Sequence, residues 1–302
     1  MKTKGFPGGK VLLLLIAGVM AWAGSGVWRT VQSGHELCSQ PAADLHPRRI
    51  VSLALVTDEI LVHLVSKDRI AALHPISANP TFSNIADQVA GHHKISPDTE
   101  TILRLRPDLI LAASFNGPHL LGNLRRLGCQ VVVMSRFDSF ESIRENVLQI
   151  ARAVGEEARG HALLKEMDQK LETITPPGTR GEKPPRVLFI GPSGFTAGRG
   201  TTVSEVIRLA GGHNVAGGIL TGIGRLSPEI LLRLRPGIIL RSSYTPLDAT
   251  TKWIFSLQAQ MGGEEPREVV VDSKLLLSVS PYLASAVEEL GSALRTKRGE
   301  EK

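Results

Sequence analysis

Apolar residues recur at three- and four-residue intervals through 139–174: Ile143, Val147, Ile150, Val154 and Ala158, then Leu163, Met167, Leu171 and Ile174. That period lines one helical face. Only Gly155 interrupts it, so the segment reads as one continuous helix or two abutting ones. At about 1.5 Å per residue the part after Gly155 alone reaches across a small domain, which makes it a stiff joint between two lobes.

On either side, short apolar runs alternate with amphipathic stretches. Strands are predicted at 50–53, 70–73, 108–111, 130–134, 187–190 and 269–271. Helices are predicted after Thr57 and Asp58, whose side chains can cap, and at 118–127, 202–210, 252–261 and 282–296. The section 74–95 reads as a long loop with one helical turn, and 191–200 as a glycine-rich loop. Alternation of this kind implies mostly parallel sheets covered on both faces. In such sheets ligands lie off the carboxyl ends of the strands.

The pattern also repeats. The run 100–111, ETILRLRPDLIL, aligns without a gap on 229–240, EILLRLRPGIIL. The repeated pairs include Glu100/Glu229, Arg106/Arg235 and Pro107/Pro236, and both copies are preceded by Ser-Pro, an expected serine cap with proline in the first turn. Two related lobes are therefore expected around the central helical segment.

Composition adds an address. Lys2, Lys4 and Lys10 precede an apolar run and Ala21-Trp22-Ala23, the layout of a secretory signal peptide. Cleavage after Ala23 removes three lysines and no acid, so a net charge of +6 falls to +3. That modest balance does not argue for nucleic acid. An uncleaved N-terminal membrane anchor is the other reading of the same run. Cys38 and Cys129 are compatible with a disulfide in an oxidising compartment. The expected division is 1–23 signal peptide, 24–48 leader, 49–138 N-terminal lobe, 139–174 connecting helical segment and 175–302 C-terminal lobe.

Candidate chemistry is sparse. The glycine-rich loop lacks the ending of a nucleoside-triphosphate loop and the spacing of a dinucleotide fingerprint; it either presents Phe195 and Arg199 to an interlobe cleft or simply turns the chain. His92 and His93 adjoin, with His74 and His119 in the same lobe, but no Cys or carboxylate cluster stands at zinc spacing. No ordered nucleophile motif is present. Neither metal site nor cofactor is assigned, and the chain reads as a non-enzyme. Glu100 and Glu229 open their helices, where a carboxylate gains from the helix dipole; the pair could equally dock arginines of another protein.

At these residues the chain resembles the periplasmic substrate-binding proteins of ABC importers for vitamin B12, ferric siderophores and haem. The likeness covers roughly 49–294. It is carried by RIVSL at 49–53 with TDEIL at 57–61, LRLRPDLIL at 103–111, LGCQVVV at 127–133, PRVLF at 185–189, and GTTVSE at 200–205 leading to LAGGHN at 209–214. The resemblance implies an α/β fold of two Rossmann-like lobes joined by one long helix, the class III arrangement. It implies a monomeric periplasmic receptor that captures an iron chelate or a cobalamin-type ligand between the lobes. It also implies an ABC permease partner met through Glu100 and Glu229. Phe195 resembles an aromatic that lines the vitamin pocket of cobalamin-binding relatives. Asn79 stands where many relatives place a tyrosine before proline, a departure that bears on contact with a macrocycle. The expected ligand residues are Asn79 with an apolar wall of Phe82, Phe115, Phe137, Phe195 and Tyr244, and Arg136, Arg199, Arg225 and Arg241 for an anionic chelate. The alternative is a membrane-tethered interaction protein of the same fold without a transport ligand.

Overall fold

The computed structural model describes residues 46–174, 183–191, 194–247, 249–260 and 264–295. The expected signal peptide, most of the leader, and Cys38, the other half of the possible disulfide with Cys129, lie outside them.

The first half runs β1 (Ile50–Ser52), α1 (Leu55–Leu64), β2 (Ile70–Ala72), α2 (Thr99–Arg104), β3 (Leu109–Ala113), α3 (Pro118–Arg126), β4 (Val131–Met134), α4 (Phe140–Val154) and α5 (Glu157–Glu172). The second runs β5 (Arg186–Phe189), β6 (Phe195–Ala197), α6 (Thr202–Leu209), β7 (His213–Asn214), β8 (Ile223–Arg225), α7 (Pro228–Leu234), β9 (Ile238–Ser242), α8 (Ala249–Gln260), β10 (Arg267–Val271), α9 (Ser273–Leu276) and α10 (Leu283–Arg295). One sheet is ordered β2-β1-β3-β4 and the other β7-β5-β9-β10, with every pairing parallel. Both follow the same permutation: second strand, first, third, fourth. The internal repeat thus extends from one helix–strand unit to the whole sheet.

The repeated unit shows how the copies are built. Arg106 and Arg235, each before a proline, adopt the left-handed conformation at φ 46° and 42°, since proline disfavours the helical region for its predecessor. In the first copy Arg49 Nε donates to the carbonyls of Leu105 at 3.0 Å and Arg106 at 3.1 Å. In the second, Arg186 Nη2 and Nε donate to those of Leu234 at 2.6 Å and Arg235 at 3.3 Å. An arginine beside the first strand of each sheet therefore satisfies the carbonyls that the broken helix leaves open. The serine caps fare differently. Ser227 caps α7, whereas α2 is capped by Asp98, which accepts from Thr101 N at 2.8 Å, two residues beyond the expected Ser96.

Strand alternation assigns the faces. Leu109, Leu111 and Ala113 of β3, Val187 and Phe189 of β5, and Ile238 and Leu240 of β9 share one core with α4, α5 and α10. Their neighbours Ile110 and Ala112 face a separate core on the first sheet, and Leu188 and Ile239 another on the second. The central strands of each sheet are buried on both faces, with the shared core between the two, while the edge strand β10 leaves Glu268 and Val270 exposed.

Of the two readings of 139–174, the structure has two helices, and they fold back on each other. Gly155, at φ 72°, ends α4 in the left-handed conformation, and Glu156 N bonds back to Ala151 O. Arg144 near the start of α4 pairs with Asp168 near the end of α5 at 2.6 Å, so the helices are antiparallel. The join between the lobes is α5. It begins where Glu156 pairs with Arg69 of the first half at 2.6 Å and ends where Lys170 donates to Ser285 of α10 at 2.8 Å. It is a packed helix rather than a free rod, because Leu164 and Met167 are buried in the shared core.

Two further expectations are corrected. Thr57 and Asp58 do not cap α1, which starts at Leu55; Thr57 Oγ1 donates back to Ala54 O at 2.8 Å. Within the glycine-rich run, Phe195–Ala197 form a strand, antiparallel to Ile223–Arg225 in a stretch read as irregular. These strands, Phe-Thr-Ala and Ile-Gly-Arg, lack the apolar run that marks the equally short β1 and β2.

Two outcomes follow from this packing. A Cβ at Gly160 would lie 2.5 Å from Ala151 Cβ, so Gly160→Ala should destabilise by about 1–3 kcal/mol in chemical denaturation; an unchanged midpoint would contradict the close α4–α5 contact. Asp58 is fully buried, with Oδ2 accepting from His74 N at 3.0 Å and Oδ1 lacking a hydrogen-bond partner, and burial pushes its carboxyl well above the usual range. A raised folded-state pKa costs stability as pH rises from the ordinary 3.8 through the folded value. The Tm advantage of Asp58→Asn over the native chain should therefore grow with pH across that window, and a pH-independent gap would contradict the burial.

Candidate functional site

Parallel strands put every following loop on the same edge, and the expected ligand residues lie there. Asn79 and Phe82 follow β2, Phe115 follows β3, and Arg136 and Phe137 follow β4. In the second half Phe195 follows β5, and Arg241 and Tyr244 lie at and just beyond the end of β9. Asn79 is exposed, and its Oδ1 accepts from Thr81 N at 2.9 Å, shaping the turn that carries Phe82.

The aromatics form three contacts. Phe82 meets Tyr244 edge-on across the two halves, with centroids 4.9 Å apart. Phe115 and Phe137 pack at 5.5 Å over the ends of β3 and β4. The Arg225 guanidinium lies 4.6 Å from the Phe195 ring centroid, a cation–π geometry made possible by the β6–β8 pairing that sets these residues opposite each other.

The arginines divide. Arg136 is held by Glu145 at 2.8 Å, and Arg241 is bound to Glu268. Both guanidiniums are thus neutralised within the chain. Among the described residues no carboxylate is paired with Arg199 or Arg225, and both are exposed.

Glu100 and Glu229 occupy the first turns of α2 and α7, which start on the same edge of their sheets as these loops. Both are exposed. Glu100 forms an ion pair with Arg104, one turn on; at such exposure the pair contributes little and exchanges readily. The Ser227 hydroxyl holds the Glu229 carboxyl below its usual range.

The residue that sequence reasoning missed is Glu59. It is 1% exposed and lies between the lobes. Its Oε1 accepts from Asn84 N at 3.0 Å and Nδ2 at 2.8 Å, and its Oε2 from Ser278 Oγ at 3.1 Å and Ser280 Oγ at 2.6 Å. Burial raises its pKa, and the hydrogen bonds from Ser280 and Asn84 offset part of that. An acid on an otherwise apolar helical face was the available signal; its partners, Asn84 at 25 residues and Ser278 and Ser280 at 219 and 221, were not legible.

His74 is the cap of a short 3-10 turn, with Nδ1 accepting from Ile76 N at 3.2 Å, and burial pushes its pKa down to about 4. Among the described residues no three His, Cys, Asp or Glu side chains are placed to hold a metal ion. A surface groove of about 830 Å³ runs along the outer side of α4 and α5, past Arg144, Arg152, His161 and Lys165, and none of the expected ligand residues lines it. No described helix is long and apolar enough to cross a membrane.

Comparison with known proteins fits this geometry. A cobalamin-binding protein of Halobacterium salinarum is 27% identical over 212 residues, 68% of this chain and 57% of that protein, so the chain matches little more than half of that relative's length. An uncharacterized ABC transporter substrate-binding lipoprotein of Bacillus subtilis, YvrC, is 24% identical over 82% of this chain and 80% of its own. The solved structure of the periplasmic heme-binding protein BhuT in complex with two hemes superposes with a TM-score of 0.66 at 25% identity, covering 82% of this chain and 98% of that one. Residues 50–259 match the family described as periplasmic binding protein, over more than half of the sequence. The chain belongs to the periplasmic binding protein family.

Proposed function

We propose that the protein is the exported solute receptor of an ABC importer, holding an iron chelate, such as a siderophore or haem, or a cobalamin-type ligand between its lobes. The observation that carries this reading is that two parallel sheets of identical strand order present aromatic loops on one edge, with Phe82 of one lobe touching Tyr244 of the other. A large conjugated ligand needs such walls from both sides. The relatives named for cobalamin and for haem support the ligand class.

In this reading Phe82, Phe115, Phe137, Phe195 and Tyr244 supply the walls, and Asn79 orders the turn beneath Phe82. Arg199 and Arg225 meet an acidic group of the ligand. Arg241 contributes less, since it must first release Glu268 from a partly buried pair, whereas the half-exposed Arg136–Glu145 pair exchanges readily. The lobes are 49–138 and 175–302 with 139–174 between them. Export through residues 1–23 places the receptor in the periplasm, where Glu100 and Glu229 meet arginines of the permease as two exposed prongs.

Titration of the purified protein with haemin, cyanocobalamin and a ferric siderophore, followed by absorbance, should give saturable one-to-one binding for one of the three. Phe195→Ala should weaken it about tenfold, roughly 1.4 kcal/mol. Saturation by none of them would remove the ligand assignment. The double variant Glu100→Lys with Glu229→Lys should lower uptake of the bound ligand in reconstituted vesicles about tenfold or more while leaving affinity unchanged. Undiminished uptake would remove the docking role.

A further inference from the structure

The polar seam between the lobes is concentrated around one side chain. Asn84, which binds Glu59 through both its backbone and its side chain, also donates from Nδ2 to Lys274 O at 2.8 Å. Three residues earlier, Thr81 O accepts from Ser273 Oγ at 2.9 Å. Ser273 N in turn donates to Ser243 Oγ at 3.0 Å. Phe82 lies between Thr81 and Asn84 in sequence, and Tyr244 directly follows Ser243. The interlobe aromatic pair is thus bracketed on both lobes by hydrogen bonds that lead back to Glu59, and on the far side Glu59 is gripped by Ser278 and Ser280.

We propose that Glu59 is the positioning residue of the cleft: by joining the 81–84 turn of the first lobe to the 273–280 segment of the second, it fixes the spacing of Phe82 and Tyr244 and hence of the two ligand walls. The assignment deepens the receptor reading and rests on it for the word ligand, but the geometric part stands without it.

The chemistry suits the task. A carboxylate accepts at four lone-pair positions and needs no donation of its own, and Glu59 faces four donors, two from each side of the seam. Charge-assisted bonds of this kind are about twice as strong as neutral ones. Enclosed from water, they tolerate little lengthening, because a donor pulled away leaves a buried acceptor unsatisfied. An alanine here would leave the shared apolar core and α5 in place, so the lobes would stay attached while losing their registration. A second crossing, His63 Nε2 to Tyr282 OH at 2.8 Å, lies nearer the surface and does not reach the aromatic turn.

The test separates registration from stability and from binding. Spin labels are placed on exposed sites of the two lobes through Arg126→Cys and Lys252→Cys, with Cys38 and Cys129 replaced by serine, and interlobe distances are measured by pulsed electron resonance without ligand. The native seam should give one narrow distribution. Glu59→Ala and the double variant Ser278→Ala with Ser280→Ala should each give a broad or two-peaked one, while circular dichroism remains native. Glu59→Gln, which keeps one acceptor oxygen, should fall between them. If Glu59→Ala does not fold, the serine double variant, which leaves the carboxyl in place, decides the matter. Where haemin binds the native protein, Glu59→Ala should weaken it about tenfold, the loss expected when pre-organised walls must be ordered on binding. A narrow, unshifted distribution in the folded serine variant would overturn the proposal, even if its Tm fell. A native protein that binds none of the three probes would instead overturn the receptor reading, and the distance measurement would still judge Glu59.

Discussion

One continuous apolar core runs under the cleft and belongs to both lobes at once. Leu109 and Leu111 of one sheet, Leu164 and Met167 of the connecting helix, and Val187, Leu240 and Val287 of the other half are all buried in it. Burial at about 25 cal/mol per Å² makes separation of the halves far costlier than any single hydrogen bond across the seam. The lobes can therefore tilt but not part, and closure around a ligand has to be small. A wide hinge would expose Leu164 and Met167 to water.

The parallel sheets set where function can lie. A parallel strand must be re-entered from the opposite edge, so each connection delivers one loop to the carboxyl edge. Because both sheets use the same permutation, equivalent loops arrive at equivalent places, and Phe82 of one lobe meets Tyr244 of the other there. The same duplication sets Glu100 and Glu229 at matching helix starts. Arg49 and Arg186, capping the two broken helices in the same way, show that the duplication reaches single hydrogen bonds.

Much of this was legible in the chain. The matched LRLRP runs announced two related lobes, and the apolar runs located most strands, because both depend on local spacing. The reversal at Gly155 was less so: one glycine is compatible with a continued helix, and the contacts that bring α4 and α5 back together, Gly160 against Ala151 and Arg144 with Asp168, are tertiary. The β6–β8 ribbon escaped because its strands mix single apolar residues with Thr, Gly and Arg and carry no apolar run. Arg136 and Arg241 read as free cations, since their partners Glu145 and Glu268 are fixed by tertiary packing. Asp58 reads as a helix-capping acid, and the pattern around Glu59 shows an acid on an apolar face without revealing the serines 219 and 221 residues on that enclose it.

The central claim is that a guest is held by both lobes at the carboxyl edges of their sheets. Hydrogen–deuterium exchange with and without haemin or cyanocobalamin tests it most directly. The account predicts added protection in 79–84, 114–116 and 135–138 of the first lobe together with 194–199 and 241–245 of the second. Protection confined to one lobe, or falling on the outer groove of α4 and α5, would contradict it.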